Sequence, residues 1–594
     1  MRRASGPTFP GPGRARLKPP TAVFESFDPA RSGWSASFGR PRGVRQAQTL
    51  SQVRPLLGFL EVQVRQGRWG VLLLSYEAAP GLNPALTTRQ GGGIPLAWAA
   101  VFDRPQTVRP PIEGPFHHSP WRPALTEKKY ATAVQKIKHL IDRGDTYQVN
   151  FTFPLRSQWS GDPGAWYRRL RDSQGAPYSA YVDLGRWKIL SLSPELFFEK
   201  RGNRLVARPM KGSAPRGRWE EEDRAFARDL RRSPKERAEN VMIVDLLRND
   251  LGKIARPGSV RTLGLFKTEP YPTLWQMTSE IEARLRPRVG LPEMMEALFP
   301  SGSVTGAPKR RTMEIIQNLE TGPRGVYTGT LGLLRPDGHW TFSVGIRTLT
   351  LDEKSGEARC PVGSGVTIAS EASAEYRECL LKGDFLKSPS YDLLESIRLE
   401  NGRWYLLAGH LDRLRHSAHR LGFPWNPKAI RAHLKTLADK RPNGRWKVRL
   451  LLSRDGNVRC ESTPLDVPMT PWRVVVAQQP VDESDLFLYH KTTRRDVYDK
   501  FRHAHPDCDD VILWNRRGDL TESTLANLVI EKSGHLYTPP IRCGLLGGVF
   551  RRHLLGRGKI RERVLTRTDL RRAERVFLIN SVRGWIPVGL LSRN

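Results

Sequence analysis

Short apolar runs and amphipathic stretches alternate along the first part of the chain. Over 21–122, apolar runs such as 71–74 are separated by Gly- and Pro-rich breaks, which predicts strands and loops. Helical periodicity follows over 128–143. Strands are then predicted at 178–184 and 188–192. This part of the chain is therefore expected to mix helices and strands.

Two further helices are predicted from local signals. Ser233 is suited to be an N-cap, Pro234 to occupy the first turn, and Glu236 to complete a capping box. The helix that they start is expected to reach about Leu247. A second helix is predicted over 373–386, after a strand-rich stretch.

Composition divides the chain into segments. Residues 1–22 are rich in Arg, Pro and Gly and contain no acidic residue, which predicts a disordered tail. A polar run at 387–390 predicts a linker between a domain at 23–386 and a domain at 391–594. A new alternation of apolar residues begins at Leu393. We therefore expect an α+β protein with two domains.

The second domain repeats the mixture of elements. Helices are predicted at 411–421 and 427–438. Strands are predicted at 447–453, 473–477 and 526–531.

Composition adds a strong positive charge to this picture. The chain has 594 residues, 39% of them hydrophobic, and its 96 Lys and Arg against 60 Asp and Glu give a net charge of +36. Such a charge attracts nucleic acid and other polyanions without sequence preference, so a polyanion-binding protein is one hypothesis. The arginines are scattered, however, and no nucleic-acid-binding motif accompanies them. We therefore expect no specific nucleic-acid partner.

The cysteines and the lengths of the apolar runs indicate the cellular location of the protein. The 5 cysteines are an odd number without a CxxC pair, which indicates neither a disulfide framework nor a cysteine zinc site. No run approaches the ~20 apolar residues of a membrane-spanning helix, and the N-terminus lacks the apolar core of a secretory signal. The expected location is the cytoplasm, without membrane association.

Acidic residues recur at helical spacing in the first domain. Glu375, Glu378 and Lys382 are three and four residues apart and so share one helix face. The helix after Ser233 offers Glu236 and Glu239 in the same way. Two such helices are able to hold an oxygen-loving cation such as Mg²⁺ between them, although solvent-exposed charge explains either helix alone.

A loop and an ordered set of motifs identify a family. The loop 302–309 precedes a helix, where free backbone N–H groups favour an anion. Together with other motifs in order, it resembles the chorismate-utilising enzymes over about 24–386. These motifs lie at 144–150, 193–196, 208–213, 238–251, 346–348 and 363–382. The resemblance implies two β-sheets packed face to face with helices outside.

Lysine positions indicate a branch of that family. Lys211 stands where anthranilate synthases usually have alanine, and Gln148 where isochorismate and salicylate synthases carry a lysine base. The pattern at 209–212 resembles component I of aminodeoxychorismate synthases. The resemblance implies that Lys211 attacks C2 of chorismate while the C4 hydroxyl leaves, and that ammonia then attacks C4. It also implies that Glu195 is the general acid.

The same resemblance implies the other residues of the first site. Mg²⁺ would be held by Glu239 and Glu378, with Glu375 on the same face. Arg347 and Tyr327 would bind the enolpyruvyl carboxylate. The other implied anion-binding positions are Thr305, Gly363, Gly365 and Lys382.

Two departures accompany the resemblance. Gln276 stands where several relatives have histidine, so the roles of that histidine are not carried over. No segment resembles a glutamine amidotransferase. The expected source of ammonia is therefore a separate glutamine amidotransferase subunit.

The second domain resembles fold-type IV pyridoxal-phosphate enzymes from about residue 391 onwards, as an α/β domain. Its motifs lie at 410–414, 490–495, 518–528, 538–540 and 543–551, and 580–584 resembles the 4-amino-4-deoxychorismate lyase branch. The resemblance implies pyridoxal 5'-phosphate bound by Lys491, with Glu522 at the ring nitrogen. Arg413 and the amides of Val549 and Phe550 would bind the phosphate. Relatives of this domain are commonly homodimers.

Together the two resemblances imply an enzyme that converts chorismate and ammonia to 4-aminobenzoate in two steps. One alternative is an anthranilate synthase component fused to a branched-chain or D-amino-acid transaminase. Another is a polyanion-binding protein on an inactive scaffold.

Overall fold

The computed structural model describes residues 21–27, 33–106, 114–271, 274–387, 391–465 and 471–591. Residues 1–20 of the predicted tail and 388–390 of the predicted linker lie outside these ranges. Ala22, which the prediction includes in the tail, begins a strand and is fully buried.

Twenty strands are described in the first domain. In chain order they are β1 (Ala22–Glu25), β2 (Ala36–Phe38), β3 (Gly43–Ala47), β4 (Trp69–Leu74), β5 (Ala97–Phe102), β6 (Phe116–His118), β7 (Arg122–Pro123), β8 (Gln148–Gly161), β9 (Tyr178–Asp183), β10 (Trp187–Ser193), β11 (Leu196–Arg201), β12 (Arg204–Arg208), β13 (Met210–Pro215), β14 (Arg261–Pro270), β15 (Leu274–Arg284), β16 (Gly306–Ala307), β17 (Thr330–Leu334), β18 (His339–Val344), β19 (Thr348–Asp352) and β20 (Glu357–Val366). Its helices are α1 (Val53–Arg65), α2 (Ala79–Leu82), α3 (Glu127–Asp142), α4 (Pro163–Gln174), α5 (Glu220–Arg232), α6 (Pro234–Gly252), α7 (Leu291–Leu298), α8 (Lys309–Leu319) and α9 (Ala372–Gly383).

These strands form two antiparallel sheets. The first has the order β16-β8-β20-β19-β10-β9-β1-β2, with β6 and β7 also paired to β8. The second has the order β13-β15-β12-β11-β18-β17-β4-β5-β3, with β14 paired to β15. The inner faces share one hydrophobic cluster, to which the first sheet contributes Phe24 and the second Trp98 and Leu331. The predicted pair of packed sheets is therefore confirmed.

Helices cover both outer faces of the sheets. Strand β4 shows the pattern: Val71 and Leu73 face the other sheet, whereas Leu72 and Leu74 face the helices. Successive side chains of a strand point to opposite faces, so a strand buried on both sides is apolar throughout. Helices α1, α6 and α7 pack on the second sheet, and α3, α4 and α9 on the first.

The helix predictions are confirmed in part. The helix predicted over 128–143 is α3, and the helix predicted after Ser233 is α6. Ser233 Oγ accepts a hydrogen bond from Glu236 N, but Ser233 N donates to Asp229 O, so the reciprocal half of the capping box is not formed. The prediction of only strands and loops over 21–122 is wrong at α1. Its buried residues recur at helical spacing: Val53, Leu56, Leu57, Leu60 and Val64.

The second domain contains twelve described strands and five described helices. The strands are β21 (Leu393–Glu400), β22 (Arg403–Trp404), β23 (Arg445–Leu452), β24 (Val458–Pro464), β25 (Trp472–Val476), β26 (Asp510–Trp514), β27 (Leu520–Ser523), β28 (Asn527–Lys532), β29 (His535–Thr538), β30 (Arg561–Glu562), β31 (Arg575–Asn580) and β32 (Gly584–Leu590). The helices are α10 (Leu407–Leu421), α11 (Pro427–Asp439), α12 (Asp496–His503), α13 (Val549–Gly556) and α14 (Arg567–Arg571).

The third sheet, β22-β21-β23-β24, is antiparallel and is covered by α10 and α11. The fourth sheet, β27-β26-β25-β32-β31-β28-β29-β30, is mixed, because β25 runs parallel to both β26 and β32. The expected two-domain α+β architecture is thus confirmed. Among the described helices, none is long and apolar enough to cross a membrane.

A buried polar contact joins the two domains just after β13. Arg216 Nε and Nη2 donate to the two carboxylate oxygens of Asp223, each at 2.8 Å. From the second domain, Arg420 Nε donates to Gly217 O at 2.6 Å. The strand that carries Lys211 is therefore anchored at its end against helix α10.

We predict that Asp223→Ala lowers the free energy of unfolding by about 3–5 kcal/mol, because it leaves the buried Arg216 without its partner. Burial opposes ionisation of Asp223, but the hydrogen bonds and charge of Arg216 outweigh it and hold the pKa below its ordinary value. This stabilisation is therefore present at neutral pH and is lost as the pH falls through that lowered pKa. Urea denaturation at pH 7 and in acid measures both effects.

Asp229→Ala on the same helix is the matched control, since Asp229 is exposed. Its expected cost is within about 0.5 kcal/mol. Equal destabilisation by the two variants contradicts the assignment of the Arg216–Asp223 pair as a buried anchor.

Candidate active sites

Lys211 lies at an irregular point of the second sheet. The pairing of β13 with β15 shifts register between Met210 and Ser213. A β-bulge of this kind re-aims the side chains that it contains. Gly212 has φ 89°, and Gln276 Nε2 donates to its carbonyl oxygen at 3.0 Å. Gln276, at the position of a histidine in several relatives, therefore fixes the backbone beside Lys211.

Lys211 is half-buried, and its amine lies in a pocket between the two sheets and helices α6 and α9. Burial lowers the pKa of Lys211 below its ordinary value and outweighs the opposing charge of Glu239. A Cβ at Gly365 would lie 2.7 Å from Lys211 Nζ and still closer to Gln148 Nε2. Glycine at 365 therefore leaves room for the amine and for Gln148 beside it.

Glu195 lines the same pocket and is 4% exposed. Ser303 Oγ donates to Glu195 Oε1 at 2.6 Å. Burial raises the pKa of Glu195 to about 7, against the opposing effects of Ser303 and the Lys211 charge. A carboxyl group with this pKa is able to donate a proton at neutral pH. Sequence reasoning marked the loop 302–309 as an anion site but missed this role of Ser303.

Two helices bring four carboxylates to the pocket, as their spacing predicts. Glu236 and Glu239 come from α6, and Glu375 and Glu378 come from α9. Lys382 Nζ lies 2.8 Å from Glu378 Oε1 and donates to the carbonyl oxygen of Gly363 at 2.9 Å.

The carboxylates suit Mg²⁺ in their chemistry. Burial raises the pKa of Glu236, and the charges of Glu239 and Glu378 add to that effect. Such mutual repulsion is relieved by a divalent cation, and Mg²⁺ commonly uses one or two carboxylates together with water and substrate. Within the described residues, however, no three His, Cys, Asp or Glu side chains form a finished metal site.

Arg347 and Tyr327 line the opposite part of the pocket. Arg347 has φ 48°, a strained conformation for a non-glycine residue, and its Nη1 donates to Gln174 Oε1 at 3.4 Å. In the described part of the chain it forms no ion pair with a carboxylate, which leaves its guanidinium for an anion. Thr305 is placed differently, because its buried hydroxyl donates to Ser301 O and it does not line the pocket.

A second pocket lies between the third and fourth sheets and contains Lys491. Burial lowers the pKa of Lys491 to about 7, and the charges of Arg413 and Arg495 contribute. The preceding residue, His490, is held by a contact of 3.0 Å between its Nδ1 and Ser417 Oγ. The pKa of Lys491 favours the neutral amine above about pH 7, which is the form that reacts with a carbonyl cofactor.

Glu522 lines the second pocket and is 4% exposed. Its carboxylate accepts hydrogen bonds from Tyr498 OH at 2.8 Å, Asn527 Nδ2 at 3.1 Å and Leu546 N at 3.1 Å. Burial raises the pKa of Glu522 to about 8, despite these donors. Sequence reasoning missed Tyr498 and Asn527, whose contacts with Glu522 exist only in the folded chain.

Arg413 is fixed at the wall of this pocket. Its Nε and Nη2 donate to the two oxygens of Glu395 at 2.8 and 2.7 Å, and His410 Nδ1 lies 2.6 Å from the same carboxylate. Arg413 Nη1 donates to Gly547 O at 3.3 Å. The guanidinium is therefore rigidly held but already partly neutralised.

Helix α13 begins beside Arg413. Gly548 is its N-cap, and both Gly548 and Val549 line the pocket. Phe550 does not line it, and its ring lies 6.3 Å from that of Tyr405. A buried amine, a buried acid and a helix N-terminus next to an arginine are what pyridoxal 5'-phosphate requires. The residues present therefore fit this cofactor.

Comparison with known proteins agrees with this division. Residues 93–388 match the chorismate binding enzyme family, and residues 392–591 match the amino-transferase class IV family. The first domain is thus similar to the chorismate binding enzymes and the second to the class IV amino-transferases. The families expected from the motifs are confirmed.

Individual relatives cover parts of the chain. It is 41% identical over 260 residues to aminodeoxychorismate synthase component 1 of Klebsiella aerogenes, which covers 44% of this chain and 57% of that protein. It is 38% identical over 290 residues to an anthranilate synthase component 1 of Haloarcula marismortui, with coverage of 49% and 58%. The chain therefore spans somewhat more than half the length of these curated relatives.

A solved structure of anthranilate synthase component I from Streptococcus pneumoniae has a TM-score of 0.52 and 22% identity. The match covers 64% of this chain and 95% of that chain. At this identity it supports the fold of the first domain.

We predict that, in cofactor-free protein, reaction of Lys491 with an amine reagent rises through a midpoint near pH 7 and then levels off. The reason is its pKa of about 7, because only the neutral amine reacts, whereas a free lysine titrates near 10.4. Competitive labelling followed by peptide mass spectrometry measures this profile, with exposed lysines of the same digest as reference. A profile that keeps rising to about pH 10 contradicts the prediction.

Proposed function

We propose that the protein makes 4-aminobenzoate from chorismate and ammonia in two steps, one in each pocket. The observation that carries the proposal is a buried lysine of lowered pKa in both pockets, each facing a buried glutamate of raised pKa. Lysines with lowered pKa values and glutamates with raised pKa values are typical of sites of acid–base and covalent catalysis.

In the first step, the neutral amine of Lys211 bonds to C2 of chorismate, both conjugated ring double bonds shift, and the C4–O bond breaks. Glu195 donates the proton with which the C4 hydroxyl leaves as water. Ammonia then bonds to C4 and gives the proton that it loses back to Glu195, while both double bonds shift back and the bond to Lys211 breaks. The product is 4-amino-4-deoxychorismate, and Lys211 returns as the free amine.

Binding of chorismate requires groups for its two carboxylates. Arg347, unpaired with any described carboxylate and adjacent to Tyr327, suits the enolpyruvyl carboxylate. Glu239 and Glu378 would hold Mg²⁺, which supplies positive charge for the ring carboxylate. Gly363, Gly365 and Lys382 would complete the binding surface, whereas Thr305 would act by shaping the loop 302–309.

In the second pocket, pyridoxal 5'-phosphate would be held by Lys491, Glu522 and Arg413, with the first amides of α13 at its phosphate. When bound, the cofactor supplies an electron sink. Glu522 holds a proton at the ring nitrogen. Lys491, as a free amine, would take the proton from C4 of the substrate and return it to the enolpyruvyl group as the C3–O bond breaks, so that pyruvate leaves and the ring becomes aromatic.

The proposal includes partners and organisation. Ammonia would come from a separate glutamine amidotransferase subunit, and the second domain would form a homodimer in the cytoplasm. The proposed division is a tail that ends before Ala22, a first domain that reaches 386, a linker at 387–390 and a second domain at 391–594.

The product distinguishes this proposal from its main alternative. Purified protein with chorismate, Mg²⁺ and ammonia should yield 4-aminobenzoate and pyruvate. Fluorescent anthranilate as the product would instead support an anthranilate synthase component joined to a transaminase. Lysine at position 211, inside the pocket, favours the first outcome.

We predict that Lys211→Ala lowers C4 amination by about a thousandfold or more, because the covalent step is lost. Its release of pyruvate from supplied 4-amino-4-deoxychorismate should stay at the wild-type rate. Lys491→Ala should keep C4 amination and lose the release of pyruvate. It should also lose the absorbance of the bound cofactor and accumulate 4-amino-4-deoxychorismate. Product analysis by chromatography separates these outcomes, and loss of both activities in either folded variant would contradict independent sites.

We predict that C4 amination at a constant concentration of free ammonia falls as the pH rises through about 7. The raised pKa of Glu195 keeps it protonated below about 7, and it cannot serve as the acid once that proton is lost. Glu195→Gln should lower the rate by about a hundredfold or more and remove this falling limb. Single-turnover rates from pH 5.5 to 9 measure the profile. If the rate of Glu195→Gln still falls near pH 7, the group that titrates there is not Glu195.

A further inference from the structure

More cationic side chains line the second pocket than the binding of pyridoxal 5'-phosphate requires. Its walls include six cationic side chains, namely Arg413, Lys447, Lys491, Arg494, Arg495 and Arg583. The acidic side chain in the same lining is Glu522. The proposed cofactor site accounts for Lys491 and Arg413, so four cations need another explanation.

Two of those four have partners in the protein. Arg494 Nε lies 3.4 Å from Asp496 Oδ2, and its guanidinium lies 4.3 Å from the centre of the Phe487 ring. Arg495 Nη2 donates to Thr524 O at 2.6 Å. These contacts fix both arginines at the rim of the pocket.

Lys447 and Arg583 differ from them in having no side-chain hydrogen bond or ion pair among the described residues, although the Arg583 guanidinium lies 5.4 Å from the centre of the Trp472 ring. Neither forms an ion pair within the described part of the chain, and Arg583 Nε is buried without a hydrogen-bond partner. They lie close enough to repel each other, since burial and then the charge of Arg583 lower the pKa of Lys447. Both side chains are half-buried. Placing two cations without a counter-charge in such a pocket is costly in a folded protein unless a ligand supplies the missing negative charge.

Lys447 and Arg583 lie on opposite walls of the second pocket. Lys447 projects from β23 of the third sheet, whereas Arg583 lies in the turn between β31 and β32 of the fourth sheet. Asn580 Oδ1 accepts from the amides of Val582 and Arg583 at 3.1 and 2.8 Å, which fixes that turn. A group bound between the two cations would therefore contact both sheets.

We propose that Lys447 and Arg583 form a carboxylate-binding subsite for the ring carboxylate of an aromatic or cyclohexadiene amine. The inference rests on the proposed function, in which C4 of the ring reacts at Lys491. The ring carboxylate is para to C4 and so points away from the reacting amine. Arginine suits a carboxylate because its planar fork donates two parallel hydrogen bonds, and lysine adds a point charge from the other side.

The subsite gives this pocket specificity. A linear amino acid carries its carboxylate on the carbon that bears the amine, whereas these two cations recognise a carboxylate across a ring. The subsite also retains its ligand through the reaction, because 4-aminobenzoate keeps the ring carboxylate when pyruvate leaves. The affinity for 4-aminobenzoate therefore measures binding at this subsite without the need for a reaction.

The test uses the full chain loaded with cofactor and the variants Arg583→Gln and Lys447→Gln. Each should raise KM for supplied 4-amino-4-deoxychorismate about tenfold or more, as expected for loss of a charge-assisted contact, with a smaller change in kcat. Cofactor content and its absorbance should not change. Arg583→Lys should restore part of the affinity.

Equilibrium dialysis with 4-aminobenzoate and its uncharged analogue 4-aminobenzamide provides a second measurement. The variants should lose affinity for the acid by the same factor as in KM and bind the amide as the wild type does. Arg575→Gln removes an exposed positive charge from the same hairpin and is the matched control, with no expected change.

Three outcomes overturn parts of this scheme separately. If the variants keep the KM and the 4-aminobenzoate affinity of the wild type, the subsite is refuted and the proposed function stays intact. Loss of cofactor from the variants assigns the two cations to its phosphate and also refutes the subsite. Failure of loaded wild-type protein to release pyruvate from supplied 4-amino-4-deoxychorismate refutes the proposed function itself.

Discussion

Burial of two lysine amines is the constraint on which both candidate sites depend. Removal from water disfavours the ammonium form and lowers the pKa values of Lys211 and Lys491, as their proposed roles as nucleophiles require. The same burial raises the pKa values of Glu195 and Glu522, which keeps protons on the acids. In each pocket the low dielectric thus prepares an amine and an acid together, without a separate activating base.

The surrounding structure holds these groups in place. At the first site a bulge in β13 and the hydrogen bond from Gln276 fix the backbone of Lys211. At the second, helix α10 carries both Ser417, which holds His490 beside Lys491, and Arg420, which binds Gly217 of the first domain. One helix therefore connects the wall of the second pocket with the strand that carries the first lysine.

Much of the fold was accessible from the sequence because its signals are local. Period-two and period-3.6 patterns and a capping serine predicted α3, α6, α10 and α11, and strands such as β9, β10 and β23, close to their observed bounds. Helix α1 was missed although its buried residues are spaced as in a helix, since Gly- and Pro-rich segments on both sides suggested a strand region. Strand β4, apolar on both faces, gives no periodic signal for which side meets the helices.

The sequence by itself determined the families and the two lysines, because ordered motifs preserve the chemical groups that a reaction needs. It also placed the four glutamates of α6 and α9 on common helix faces, since helical spacing is a local property. Only the tertiary structure decided that Ser303 bonds to Glu195, that Thr305 turns away from the pocket, and that Lys447 and Arg583 meet without a partner. These relations join residues far apart in the chain, and distance between side chains is fixed by packing rather than by spacing.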